Sequence, residues 1–418
     1  MKKLKIGVVG VGRGGSMMRY CAVAENAELV AVCDNWVEGL RQKEKELKDE
    51  NITFYESYDE FLNHDMDVVV LANYATEHVP FALKAFEKGL HVFSEVLPCQ
   101  TMQEAVQLVE AVERTGLKYA YLENTCYMAG PREMKKLYKQ GVLGEFEYGE
   151  GEYCHNCEDI WPKITHGDPA HWRNNMYATF YCTHSLGPLI HITGLRPKTV
   201  TGFELPNWPR VRNMGRKQGL AGVEMVTLEN GALVKSVHGE LYCHSIWFSM
   251  YGSKGRMETA REDAEMGHAG RLYLNVDKTP GIYDDAQNHI AVNYLPQDNM
   301  SKKAKKFSHQ GADFYTMWNA VEYVLGNPEA DPIDVYEAMD MFLPGLFAHF
   351  SLLEGGIPVE VPDMRDLTQR EKYRNDTRCT DPKVAGAMLV PQTAQQVEEI
   401  PMEVYERIQA KWQEIAPK

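Results

Sequence analysis

Residues 4–20 read LKIGVVGVGRGGSMMRY. LKIGVV, almost wholly apolar, reads as a buried strand, and the glycines after it force a sharp turn before apolar spacing resumes as a helix. A chain that opens this way is building a parallel sheet with helices on its faces. The next strand, AELVAVCDN, closes on Asp34.

Gly10, Gly12 and Gly15 keep G-x-G-x-x-G spacing, and the acidic residue stands about twenty positions further on. That combination is the fingerprint of a dinucleotide site. The glycines admit a pyrophosphate to the backbone, the helix N-terminus supplies N–H donors and a positive dipole, and the acid accepts from ribose hydroxyls. A carboxylate here repels a 2′-phosphate, so NAD is expected rather than NADP. Gly10, Gly12, Arg13, Gly14, Gly15 and Asp34 are the expected cofactor contacts. The alternative is a glycine turn in a nucleotide-free domain, which explains neither the helix nor the acid.

The alternation continues with MDVVVLANY, the helix HVPFALKAFEKG, LHVFSEVLP, the helix MQEAVQLVEAVERTG and KYAYLEN. Residues 1–125 therefore read as an α/β Rossmann domain on a parallel sheet. Beyond them the texture changes. Asn230-Gly231 between strand-like runs is a hairpin signal, and WFSMYGSKGRMETA and GRLYLNV read as strands without intervening helices. Residues 126–360 read as an α+β domain on a mostly antiparallel open sheet, with helical returns at DFYTMWNAVEYVLG and DVYEAMDMFLPGLFAHFSLLEGG. Residues 361–418 form a polar C-terminal extension ending in PMEVYERIQAKWQEI.

The formal net charge of −15 over 418 residues argues against nucleic acid or a membrane surface as partner, since both are polyanionic. No apolar run is long enough to span a bilayer. Nine scattered cysteines fit reduced thiols and a cytoplasmic chain. CHNC at 154–157 lacks the second pair that a zinc site needs, so no metal is expected. GRKQG at 215–219 and KKAKKF at 302–307 read as solvated basic loops.

ANYATEHVPFALKAFEKGLHVFSEVLP, residues 72–98, resembles the Gfo/Idh/MocA family of nicotinamide-dependent enzymes. The resemblance covers most of the chain, down to GGIPVEVPD near residue 360. It implies a dinucleotide-binding domain followed by a domain whose open sheet often mediates oligomers, so a homo-oligomer is expected. It also implies that Asn73, His78 and Glu95 lie near the nicotinamide and ribose. Sugar dehydrogenases of the family read Glu-Lys-Pro here, the lysine serving as proton donor or acceptor. This chain reads Glu95-Val96-Leu97-Pro98, and no gapping supplies a lysine.

One branch that also lacks the lysine is the NAD-dependent glycosidases typified by α-N-acetylgalactosaminidases. LENTCY (122–127) is similar to that branch's Glu-Asn-Cys-Cys-Tyr, with Glu123 as the acid. GVLGEFEYGEGEYCH ends, like its counterpart, in tyrosine, any residue, histidine: Tyr153 and His155. YCTHSLGP is similar to Tyr-Pro-Thr-His-Gly-Leu-Gly-Pro and brings Tyr181 and His184 into register. Cys182 for proline, Ser185 for glycine and NCEDIW after His155 depart from the pattern and leave the sugar open.

The resemblance implies a redox-neutral cleavage of a carbohydrate glycoside: transient oxidation at sugar C3, loss of the C2 proton, elimination of the aglycone, water addition and re-reduction. Such a site needs several proton-transfer groups around one ring, unlike the carboxylate pair of ordinary glycosidases. Tyr153 and His155, two apart on a strand, share a face. Tyr181 and His184 stand near a helix start that Thr183 or Ser185 could cap. The roles this suggests are Tyr153 or Tyr181 as C2 base, His155 and Glu123 for water or leaving group, and His184 at the C3 hydroxyl. Each residue alone has a plain structural reading: Tyr153 a core or interface ring, His155 a satisfied histidine, Tyr181 and His184 braces, Glu123 a cap. His309 and Asp313 line a sugar pocket or cap a helix. Trp172 and Arg173 hold a sugar or merely pack. Two rival functions remain open, a sugar 3-dehydrogenase that stops at the ketone and a non-catalytic NAD-binding sensor.

Overall fold

A computed structural model describes residues 3–416 apart from 243, 266, 280 and 282–284. The chain forms two compact units that interleave along the sequence. The first comprises Met1–Met128, Asp298–Met339 and Met364–Asp376; the second comprises Ala129–Gln297, Asp340–Asp363 and Thr377–Lys418.

In the first unit β1 (Leu4–Val9), β2 (Ala27–Cys33), β3 (Thr53–Tyr55), β4 (Val68–Leu71), β5 (His91–Ser94) and β6 (Tyr119–Tyr121) form one sheet in the order β3-β2-β1-β4-β5-β6. Every pairing is parallel. All four residues of β4 are buried, which requires helices on both faces. Those helices are bounded by local signals. Met102–Thr115 begins where the Thr101 side chain accepts from the Glu104 N–H, and ends on Gly116 in the left-handed region. The strand order reverses between β1 and β4, which is where such sheets open a crevice for ligands.

The second unit is built on nine strands: β7 (Phe146–Cys154), β8 (Pro197–Glu204), β9 (Ala221–Leu228), β10 (Leu233–Gly239), β11 (Ser245–Gly252), β12 (Gly255–Thr259), β13 (Leu272–Asp277), β14 (His289–Tyr294) and β15 (Val359–Glu360). Their order is β14-β13-β12-β11-β7-β10-β9-β8-β15, antiparallel except between β7 and β10. Gly231, at φ 89°, turns the β9–β10 hairpin that Asn230-Gly231 predicts. The helix Thr183–Thr193 packs on β7, β10 and β11. Its N-cap is Cys182 with no side-chain cap, so neither Thr183 nor Ser185 plays the expected capping part.

The C-terminal extension folds as part of these units. Its last helix, Met402–Ile415, packs on the short helix Trp161–Thr165, and Tyr405 Oη donates to the Gly215 carbonyl at 2.9 Å. Ile408 closes a small core with Cys157, Trp161 and Met214. Among the described residues no helix is long and apolar enough to cross a membrane.

Candidate active site

In the first unit the glycine turn carries most of the constraint at Gly10 and Gly14. Gly10 sits at φ 96°, and a Cβ there would strike the Ala72 carbonyl. A Cβ on Gly14 would strike the Gly10 carbonyl and Val8. Gly15, the third glycine of the fingerprint spacing, meets only Lys43 Nζ at 3.9 Å, so the close strand–helix packing is served by Gly14 instead. Gly12 faces open space, as a backbone that receives a phosphate must. The Asp34 carboxylate is held rigidly, accepting from Val11 N at 2.7 Å and Trp36 N at 2.8 Å. A cavity of about 540 Å³ opens beside the turn, lined by Gly12, Arg13, Ser16, Lys43 and Ser308 among others.

Arg13 is the centre of a buried charge network. Its Nη1 and Nη2 donate to Asp313 at 2.7 and 3.0 Å, and its Nε donates to Glu95 Oε1 at 3.0 Å. Asp313 also accepts from Ser16 Oγ at 2.6 Å and Asn124 Nδ2 at 3.0 Å, and pairs with His309 Nδ1 at 2.9 Å. Burial works to raise the Asp313 pKa, but His309 and Arg13 overcome it and hold the carboxyl well below its ordinary range. Burial raises Glu95, with Arg13 opposing. Thus three of the N–H groups of Arg13 are taken by carboxylates, and His309 and Asp313 brace the glycine turn.

His78 is buried, its Nδ1 2.7 Å from the Leu97 carbonyl, and burial lowers its pKa to about 4. A carbonyl partner puts the proton on Nδ1 and leaves Nε2 an acceptor. His78 Nε2 and Asn73 Oδ1 are buried atoms without a hydrogen-bond partner among the described residues. Two orphaned acceptors and an open glycine turn fit a dinucleotide, which Gly10, Gly12, Asp34, Asn73 and His78 would hold. Glu123 is fully buried, and its Oε1 accepts from Thr125 N at 3.1 Å and Thr125 Oγ1 at 2.7 Å, capping the turn Asn124–Tyr127.

In the second unit Tyr153, His155, Tyr181 and His184 come together. The His184 ring lies 4.5 Å from Tyr153 and 5.5 Å from Tyr181, centroid to centroid. His155 follows the last residue of β7, its N–H still bonded to the Gly239 carbonyl at 2.9 Å, and its ring is 5.9 Å from Tyr153. Arg173 lies over both Trp172 and Tyr181, at 4.5 and 5.1 Å from the ring centres, so both predicted sugar contacts border the cluster. Pro188, one helical step after His184, withholds the N–H that would bond the His184 carbonyl.

Two further histidines belong to the group. His238 on β10 stands 5.9 Å from Tyr153 and 5.6 Å from Tyr181, and its Nδ1 is buried without a partner among the described residues. Burial, reinforced by the neighbouring His184, holds its pKa well below the ordinary value. His244 lies 4.7 Å from His155. The signal for His238 was present as strand alternation after Asn230-Gly231, but no motif distinguishes it. Arg216 overturns the reading of 215–219 as a solvated loop: it is 3% exposed and paired with Glu240 at 2.5 Å. Glu240 also accepts from Cys157 N at 2.7 Å, which is why an arginine is tolerated inside. Burial raises Cys154 and Cys157 to about 12, so both are thiols at neutral pH.

Residues 4–122 match the family model GFO_IDH_MocA, described as an oxidoreductase family with an NAD-binding Rossmann fold. The chain is 26% identical over 403 residues to "Glycosyl hydrolase family 109 protein 1" of Shewanella sp. (strain MR-4), a match covering 87% of this chain and 85% of that one. It is 26% identical, with the same coverage, to "Alpha-N-acetylgalactosaminidase" of Shewanella oneidensis. In fold it is similar to scyllo-inositol dehydrogenase from Lactobacillus casei, solved with NAD(H) and scyllo-inositol: TM-score 0.65, 18% identity, covering 86% of this chain and 99% of that one. An oxidoreductase from Agrobacterium radiobacter solved with NAD⁺ and L-tartaric acid matches with TM-score 0.67 at 15% identity, covering 86% of this chain and 99% of that one. The Rossmann unit of this NAD-dependent enzyme is thus similar, over residues 4–122, to the NAD-binding domain of the Gfo/Idh/MocA oxidoreductases.

Proposed function

We propose that this enzyme cleaves glycosides by a redox-neutral, NAD-dependent route, with an N-acetylhexosaminide as the first substrate class to try. The observation that carries the reading is the convergence of Tyr153, His155, Tyr181 and His184 around one another in a chain whose Glu95-Val96-Leu97-Pro98 segment has no lysine. The similarity to the glycosidase relatives over most of the chain supports it.

Gly10, Gly12, Asp34, Asn73 and His78 would hold NAD, which would supply a hydride acceptor for the sugar C3 and a donor for its return. His184 takes the C3 hydroxyl proton as the carbonyl forms. The ketone acidifies C2–H, and Tyr153 or Tyr181 removes that proton, the partner ring of His184 lowering the cost of phenolate formation. His155 and Glu123 serve the leaving aglycone and the incoming water. Trp172 and Arg173 offer a stacking face and hydroxyl donors to the sugar.

The same reading takes the enzyme to be a cytoplasmic homo-oligomer whose partner is a small carbohydrate, with no nucleic-acid or membrane partner. The test mixes enzyme with aryl glycosides and follows aglycone and NADH together. Aglycone release without net NADH, with deuterium entering C2 in heavy water, supports the glycosidase. Stoichiometric NADH without aglycone makes it a sugar 3-dehydrogenase instead.

A further inference from the structure

The strand register of the second unit sets Gly202, Glu224, Ser236 and Gly151 side by side on β8, β9, β10 and β7. The row lies under the helices. A Cβ at Gly151 would strike the Ser185 carbonyl, and one at Gly202 would strike the carbonyl of Ala348 on the helix Val335–Leu353. Between these two glycine seats stand a serine and a carboxylic acid, each 1% exposed. No ion pair reaches Glu224 among the described residues, and its Oε2 has no hydrogen-bond partner there.

Ser185 Oγ donates to the Cys182 carbonyl at 3.0 Å. Ser236 Oγ lies 2.8 Å from Ser185 Oγ, within hydrogen-bond distance, and either hydroxyl can donate. The Cys182 thiol donates to the Met341 carbonyl at 3.4 Å. Ser236 and Cys182 are the hydrogen-bonding neighbours of the Glu224 carboxyl, and both favour its ionised form, but burial outweighs them. A carboxyl 1% exposed with one oxygen lacking a partner among the described residues and no ion pair there is favoured in its neutral form. Burial pushing its pKa up to about 8 agrees. Cys182 and Ser185 are also the two positions where this segment departs from the Pro and Gly of the related branch.

We propose that Glu224 is a positioning residue: through Ser236, Ser185 and Cys182 its carboxyl ties the start of the 183–193 helix to the sheet and so aims Tyr181 and His184. The catalytic part of this inference rests on the reading that those two residues act in the reaction.

The experiment compares wild type, Glu224→Ala and Glu224→Gln by amide hydrogen exchange of the peptide spanning residues 182–187, and by turnover of an aryl N-acetyl-α-galactosaminide. Glu224→Ala is expected to speed exchange and lower kcat by about tenfold each, the loss of about one hydrogen bond. Glu224→Gln, neutral and able both to donate and to accept, is expected to stay within about twofold of wild type in both. Unchanged exchange in Glu224→Ala overturns the proposal, as does a Gln variant as damaged as the Ala variant, which would mean that a charge is needed. If Glu224→Ala does not fold, Ser185→Gly breaks the same chain from its other end and is read in the same way. If wild type releases no aglycone, the glycosidase reading falls, while the exchange result still decides whether Glu224 holds this segment.

Discussion

The His184 ring lies 4.5 Å from the Tyr153 ring at an interplanar tilt of 34°, although the two residues come from a strand and a helix and stand 31 positions apart in sequence. A histidine in such contact can share a proton with the phenol. Tyr153→Phe and His184→Ala are each expected to lower kcat by about 10²–10⁴-fold, the range for a lost acid or base. Aglycone release measures this, with Tm for Tyr153→Phe within a few degrees of wild type. Near-wild-type kcat in Tyr153→Phe would assign the C2 base to Tyr181.

Asp313 gathers Arg13, Ser16, Asn124 and His309 in one place. Asp313→Ala leaves Arg13 with Glu95 as its carboxylate partner and is expected to destabilise the chain by about 3 kcal/mol, the lower end for a broken buried pair because Arg13 is partly exposed and keeps Glu95. Urea unfolding measures this. A loss below about 0.5 kcal/mol would mean that the network is ornamental.

Stability should depend on pH in two opposed ways. His78 and His349 have pKa values lowered to about 4, and His171 to about 3, in each case chiefly by burial. The unfolded chain therefore binds protons that the folded chain refuses, and stability falls as pH drops from about 6.5 toward 4. Glu224 does the reverse. Its folded pKa, raised to about 8, keeps a proton that the unfolded chain releases near pH 4.3, so its contribution declines between those values as pH rises. Denaturation at pH 5, 6, 7 and 8 should show Glu224→Gln flattening the alkaline decline and His349→Gln flattening the acid one. If Glu224→Gln follows the wild-type curve throughout, Glu224 is ionised in the fold.

Asp34 closes β2 with both carboxylate oxygens fixed by backbone N–H groups. NAD is expected to bind at least about tenfold more tightly than NADP, and Asp34→Asn to narrow that gap by removing the repulsion of a 2′-phosphate. Calorimetric titration of both nucleotides against both proteins checks this. Equal affinities in wild type would place the ribose elsewhere.

The Rossmann unit was legible because its signals are local: an apolar strand, a glycine turn, a capped helix and an acid at a set distance. The tyrosine and histidine pairs were legible only as short motifs, and nothing in the spacing of 153 and 184 says that their rings meet. His238 and Glu224 were not legible. Each is an ordinary residue on an alternating strand, and its meaning comes from which helix covers it. Arg216 misled for the related reason that its counter-charge, Glu240, lies beyond a hairpin. The role of Gly14 was hidden because the fingerprint names Gly15, and only packing distances separate adjacent glycines.

The interleaving of the two units has a consequence for biosynthesis. The first unit gathers residues up to Asp376, and the second takes its last helix from Met402–Ile415. A ribosome making this chain delivers the dinucleotide turn long before Asp376, the last residue that the first unit gathers. The order of translation is thus not the order of completion. A nascent chain halted at residue 300 would lack Asp313, the acceptor of two Arg13 N–H groups, and would expose that turn to chaperones with Glu95 as the remaining carboxylate partner of Arg13.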